Sequence, residues 1–362
     1  MRIPPTVPVD ARSRLVSLDL LRFVAAASVM IYHYTYHLAT ADRPALSALE
    51  TVTRHGYLGV EVFFIISGFV ILWSAKGRTA TSFVRARVLR LYPEFWLAVL
   101  VAAAVFLLAP GPFGDPTSAG QVLANLTMVP SLFGAPYVDG VYWTLFAELK
   151  FYAIVWFLLL LRQERAIERW MLAWLAVLLL DRFVALPGVV RSLVIYPYGQ
   201  LFAVGGIFYL VFDSGWTRTR VLALAAGLAL AADAAVKDMT GFIAPSHITE
   251  VARASTVAVL VATFVYFATL RSHRLDGPIA RVAPLLGALT YPLYLLHNSG
   301  KALFLGSGTA GPEWLRIAAA TAFSLLIAYG VMRLGTGPVH RLLRSGIDAG
   351  LARFARMAGP AT

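Results

Sequence analysis

Ten apolar stretches recur along this 362-residue chain, at about 15–38, 57–75, 88–109, 141–161, 168–186, 192–212, 219–236, 252–270, 283–304 and 314–335. Each approaches the ~20 residues that an α-helix needs to cross a hydrocarbon core. Hydrophobic residues make up 59% of the chain and charged residues only 14%, which excludes an ordinary soluble domain. The expected fold class is all-α: a polytopic membrane protein with about ten transmembrane helices. The closely spaced pair 168–186 and 192–212 fits least well. Neither an internal repeat nor a coiled-coil heptad pattern is visible.

The net charge of +12 and pI near 10.1 would suit a nucleic-acid partner if the basic residues formed one patch. They instead alternate with the spans. With the N-terminus in the cytoplasm, 21 of the 31 Lys and Arg residues fall on the inner side, and the 110–140 loop carries none. The high pI therefore reads as positive-inside topology with both termini cytoplasmic. The boundaries expected are a cytoplasmic segment 1–14, a ten-helix membrane domain 15–337 and a basic cytoplasmic tail 338–362. The first apolar stretch exceeds the ~7–15 residues of a signal-peptide core and reads as a retained helix. There are no cysteines, so disulfides, thiolate metal sites and thiol nucleophiles are excluded. The 110–140 loop reads as an interfacial or re-entrant segment over the outer mouth, with a glycosylation sequon at Asn125-Leu126-Thr127.

Within the first stretch, Arg22 and His33 stand eleven residues apart. At ~100° and ~1.5 Å per residue they share one helix face, ~16 Å apart along the axis. Ionisable groups at membrane depth are costly and read as functional, although Arg can also snorkel to headgroups. Topology assigns depths to the others. His33, Glu61, Glu148 and His297 are expected toward the outer side, and Arg22 with Arg85, Arg87 and Arg90 toward the inner side. The outer group has the chemistry of proton transfer: an imidazole as base, with a carboxylate to fix its tautomer. Metal ligation is disfavoured, because no pair except His33 and His37 has bridging spacing. The inner group has the chemistry of anion binding, with Arg87 and Arg90 on one face if their helix starts early. Arg85 reads as positive-inside anchoring.

Five ordered blocks resemble the acyltransferase-3 family of integral membrane acyltransferases, over nearly the whole chain. They are the Arg22–His33 pair, GYLGVEVFFIISGF (56–69), FVRARVLRLYPEFW (83–96), YWTLFAELKFY (142–152) and LTYPLYLLHN (289–298). There are departures from the family pattern. Leu149 stands where many members have a second acidic residue, Lys150 replaces an uncharged one, and Thr336-Gly337-Pro338 replaces Glu-x-Pro. The resemblance implies transfer of an acyl group, often acetyl, from acyl-CoA to a carbohydrate hydroxyl, such as one on an envelope polysaccharide. It implies acyl-CoA as co-substrate, no permanently bound cofactor, and a bacterial inner membrane as location. Carried over residue by residue, it makes His33 the general base or transient acyl carrier and Glu148 the group that orients or charge-stabilises it. Arg22, Arg87 and Arg90 would hold donor phosphates, and Glu61, Trp143, Tyr294 and His297 would line the acceptor pocket. Acylation of a glycosylated small molecule uses the same chemistry. A proton-coupled transporter is the rival of another class, disfavoured by the lack of a repeat.

Several residues carry structural expectations instead. Ser67 and Gly68 read as a close helix crossing, and Asp19 as a charge partner of Arg22 or a helix-start cap. Asp181 and Asp233 have no evident partner in the sequence, and the role of Lys150 is open.

Overall fold

The computed structural model describes residues 16–38, 44–109, 118–272, 275, 277–306 and 311–357. The expected N-terminal segment, Arg43, Arg274 and the Gly/Pro-rich start of the 110–140 loop lie outside the described residues. Among the described residues there is no strand. The chain is an all-α polytopic membrane protein. In order, its helices are α1 (Val16–Tyr34), α2 (Pro44–Thr53), α3 (Gly59–Ala75), α4 (Ala80–Leu108), α5 (Ala119–Asn125), α6 (Trp143–Leu160) and α7 (Ile167–Leu180). They continue as α8 (Gly188–Leu193), α9 (Gly199–Ser214), α10 (Arg218–Phe242), α11 (Glu250–Ala268), α12 (Gly277–Leu305), α13 (Glu313–Leu334) and α14 (His340–Met357).

Among the described residues, eight helices are long and apolar enough to cross a membrane, counting α2–α3 and α13–α14 each as one continuous path. The stretches expected at 168–186 and 192–212 form shorter helices, α7 of 14 residues and α9 of 16, with the six-residue α8 between them. Polar groups at the turn explain the shortening. Asp181 ends α7, accepting from the Leu186 amide at 2.9 Å and pairing with Arg191 at 2.8 Å. Asp233 also has partners, Arg182 and Lys237.

α12 is the central helix, packed against α1, α4 and α13. α3 crosses α9 at Gly68 and Gly205, where an added Cβ would lie 2.2 Å from the Phe202 oxygen and 2.1 Å from the Ile65 oxygen, respectively. Only glycine permits that approach, as small residues at membrane helix crossings generally do. α4 begins eight residues earlier than the apolar stretch suggests, capped by Thr79, whose hydroxyl accepts from the Ser82 amide. That early start puts Arg85 and Arg87 on the same helix as Arg90. At the far end of the chain, the helical path breaks at Gly337, whose φ −98°, ψ −105° is not helical, and α14 turns back to pack on α4. Arg85 holds it there through two bonds to Asp348, at 2.5 and 3.1 Å.

Asn125 shows how the described part of the loop between α4 and α6 is tied together while being too broken to span. Its side chain is fully buried, donates to the Gln121 and Pro136 carbonyls at 2.9 Å each, and accepts from the Val138 amide at 3.0 Å. The sequon asparagine is thus a loop staple.

Candidate active site

Two chambers lie within the helix bundle, and Val60 and Tyr294 line both. The inner chamber, about 230 Å³, is walled by α1, α3, α4, α6 and α12. Arg22, Arg87 and Arg90 all line it, together with Glu148, Tyr152 and Ser67. Arg87 lies over the rings of Phe83 and Tyr152, 5.8 and 5.9 Å from their centroids, and Arg90 lies 5.5 Å from that of Tyr291. Rings at that distance stabilise a guanidinium without using its hydrogens. The buried Arg87 Nε has no hydrogen-bond partner among the described residues. Arg90 bonds Glu94 at 3.3 Å. The wall therefore presents three cations whose forks suit a planar or tetrahedral oxyanion group.

The structure sets Glu148 in this inner chamber. Its carboxylate accepts from Tyr152 at 2.5 Å and from Ser67 at 3.1 Å. The sequence instead sets Glu148 at the level of His33. Glu148 lies more than a turn into α6, whereas His33 is in the last turn of α1, and the bonds from Ser67 and Tyr152, which line the same chamber, hold the carboxylate there. Ser67, read from sequence as packing, both sits at the Gly68 crossing and donates to Glu148.

The outer chamber, about 300 Å³, is lined by His33, His37, Tyr32, Trp143, Asn298 and Lys301, among others. His33 Nδ1 is 3.0 Å from His297 Nε2, and His297 Nδ1 is 2.8 Å from the Tyr294 carbonyl. These two contacts fix a proton arrangement. A carbonyl only accepts, so His297 Nδ1 carries a hydrogen. In neutral His297, Nε2 is then the acceptor, His33 Nδ1 must donate to it, and His33 Nε2 is left with a free lone pair. His297 is fully buried and His33 half-buried, so the more accessible member of the pair is the one with the open nitrogen. Pro292 removes one backbone amide from the α12 ladder just before this turn.

Asn298, beside His297 in sequence, donates to Asp139 at 2.8 Å, and its own Oδ1 has no partner among the described residues. Asp139 also caps the turn into α6 by accepting from the Val141 amide at 3.1 Å. Burial pushes the Asp139 carboxyl up to about 6, against the bonds from Asn298 and Val141, which lower it. Lys301, 3% exposed, contacts His37 Nδ1 at 3.2 Å. Neither Asn298 nor Lys301 stood out in the sequence, although both follow His297 within about one turn on the same helix.

Of the other expected site residues, Trp143 lines the outer chamber and Tyr294 stands between the two. The Tyr294 hydroxyl is held by Thr144 at 3.0 Å and the Val141 carbonyl at 3.3 Å. Glu61 lines neither chamber. It is buried in the first turn of α3, with one carboxylate oxygen lacking a hydrogen-bond partner among the described residues. Lys150 points away from Glu148, bonding Ser192 and lying 4.6 Å from the Phe146 ring. Among the described residues no group of three or more His, Asp or Glu is placed to hold a metal ion.

A family model described as an acyltransferase domain matches residues 15–333. The chain is similar to the exopolysaccharide production protein ExoZ of Rhizobium meliloti, 28% identical over 84% of this chain and 97% of ExoZ. It is similar to acyltransferase MdmB of Streptomyces mycarofaciens, 32% identical over 38% of each chain. Nodulation protein 10 of Rhizobium leguminosarum is 30% identical over 38% of this chain and 42% of its own length. The matched part thus spans about two fifths of MdmB and of nodulation protein 10. No solved structure matches.

Proposed function

Because the chain belongs to this membrane acyltransferase family, we propose that it moves a short acyl group from acyl-CoA to a hydroxyl of a carbohydrate, with an envelope polysaccharide as the acceptor class. The observation that carries the reading is the pairing of two unlike chambers, a tri-arginine one and an imidazole one, across Val60 and Tyr294. The name of ExoZ, matched over nearly all its length, supports the polysaccharide acceptor.

In this proposal the arginine end of the bundle faces the cytoplasm, as the distribution of basic residues requires. Arg22, Arg87 and Arg90 engage phosphate oxygens of the donor, and its thin arm passes Val60 and Tyr294 to present the thioester to His33. The acceptor sugar lies against Tyr32 and Trp143, whose faces suit a pyranose ring, and one hydroxyl donates to Asn298 Oδ1. His33 Nε2 takes the proton from the reacting hydroxyl as its oxygen attacks the thioester carbonyl. The tetrahedral adduct expels the thiolate, which takes that proton back from the imidazolium, giving ester and free thiol. His297 stabilises the imidazolium by accepting from His33 Nδ1. Glu148, bonded by Ser67 and Tyr152, balances the arginine charge and holds those cations in place between turnovers.

The test is acyl transfer by purified protein in lipid nanodiscs, using radiolabelled acetyl-CoA with the cell's own envelope polysaccharide. Label recovered as a base-labile polysaccharide ester in wild type and not in His33→Ala is the expected result. Equal labelling by the two proteins would overturn the reading.

A further inference from the structure

A third cavity, about 470 Å³, opens on the other side of Arg90 from the inner chamber. One wall is α4, with Arg85, Arg90 and Glu94, and the other is the broken turn 335–339 and the start of α14, with His340 and Arg344. The two walls meet tightly. A Cβ at Gly335 would lie 2.5 Å from Glu94 Cγ, so the turn seats directly on α4. Arg85, which the sequence marks as simple anchoring, fastens α14 through Asp348 and also lines the cavity. Glu94 is the one carboxylate on this wall, and Arg90 already engages it at 3.3 Å. What remains is a cation-lined pocket that shares Arg90 with the chamber whose arginines are assigned above to the donor's phosphates.

We propose that this pocket, closed on one side by the basic C-terminal helix, is the subsite for the phosphorylated nucleotide head of the thioester donor. The proposal rests on the donor reading and adds to it a place for the bulky end of the molecule. A coenzyme A thioester is a thin arm carrying a nucleotide bisphosphate head. The arm suits the narrower chamber, and the head requires a wider, cationic one outside it. Arg90 stands where the two parts join, Arg85 and Arg344 face the outlying phosphate, and His340 adds a donor on the same wall. The basic tail is then part of the binding site, beyond its role in membrane orientation.

The experiment compares equilibrium binding of acetyl-CoA and of S-acetylpantetheine, which keeps the thioester arm and lacks the nucleotide and its phosphates. The protein is in phosphatidylcholine nanodiscs, so that no anionic lipid competes. Wild type is expected to prefer acetyl-CoA. Arg344→Ala and Arg85→Ala are each expected to reduce that preference by roughly tenfold, which is about 1.4 kcal/mol. Arg344 is 61% exposed and its nearest ionic partner is Asp348 at 3.8 Å, so its removal leaves the fold intact, and retained S-acetylpantetheine binding verifies this. Preference unchanged in both variants overturns the proposal, as does a wild type that binds the two thioesters equally. Binding of neither thioester by wild type means that the donor reading itself has failed. If the variants differ from wild type only once phosphatidylglycerol is added to the discs, the pocket holds a lipid headgroup, and the nucleotide assignment is wrong.

Discussion

Removing the His297 imidazole isolates what the buried ring does for His33. In the resting state the 3.0 Å contact is a bond between neutral rings, worth about 0.5–1.5 kcal/mol. If His33 takes the acceptor proton, as proposed, it becomes an imidazolium, and the same bond becomes charge-assisted, worth about 1.5–3 kcal/mol. Only the difference, about 1–2 kcal/mol, accelerates the reaction, since ground-state and transition-state binding cancel where they are equal. At ~1.4 kcal/mol per decade, His297→Ala is expected to lower kcat ~5–30-fold. His33→Ala removes the proposed base and is expected to cost ~10²–10⁴-fold. His297→Gln retains an oxygen acceptor and is expected to fall between wild type and His297→Ala. The donor's KM should change little in all three, because the arginines line the other chamber. Steady-state acyl transfer with varied acetyl-CoA, at fixed saturating acceptor, reads both parameters. A His297→Ala enzyme with kcat within twofold of wild type, or with the loss confined to the donor's KM, would refute the two-ring argument.

Arg87→Ala or Arg90→Ala should weaken acyl-CoA binding ~10–150-fold if each loses a charge-assisted bond, with Lys recovering only part, as direct titration would read. Glu148→Gln keeps the Tyr152 and Ser67 contacts but removes a counter-charge from the arginines, so donor binding should shift more than it does in His33→Ala. Asp139 titrates near 6 in the fold against about 3.8 unfolded. The native state therefore holds the extra proton between those values, and this contribution to stability, roughly 3 kcal/mol at most, is present below pH ~4 and lost as pH rises through ~6. Asp139→Asn should flatten that part of the melting-temperature profile. Because the chain has no cysteine, single cysteines at exposed Ser131 and Arg78 should label from opposite sides of sealed vesicles, and same-side labelling would contradict the assigned orientation.

Helix periodicity and apolar length made α1, α3, α4, α6 and α12 legible as spans, and spacing alone set Arg87 and Arg90 on one face. What the sequence could not supply was relative height between helices. Span boundaries alone set Glu148 and His33 level, and only the bonds from Ser67 and Tyr152 show the carboxylate held in the arginine chamber. The ring partner of His33 was equally hidden, since contact between residues 264 positions apart depends on how α12 leans on α1. Asn125 matched a modification motif, and only the carbonyls of Gln121 and Pro136 reveal its structural use. The shortness of α7 and α9 likewise reflects the Asp181–Arg191 pairing, which an apolarity count cannot weigh.

Val60 and Tyr294, described above simply as side chains shared by two chambers, bear on the membrane itself. A cell that stores energy as an ion gradient cannot tolerate a continuous water column through a protein in its bilayer. Among the described residues, an aliphatic side chain and a ring bonded to Thr144 are what the linings of the two chambers have in common. On the proposed function, a thioester arm lying between them would itself act as the stopper while the acyl group is handed on. Enlarging the gap, as in Val60→Gly, should then appear first as proton leak in energised vesicles, before any change in chemistry.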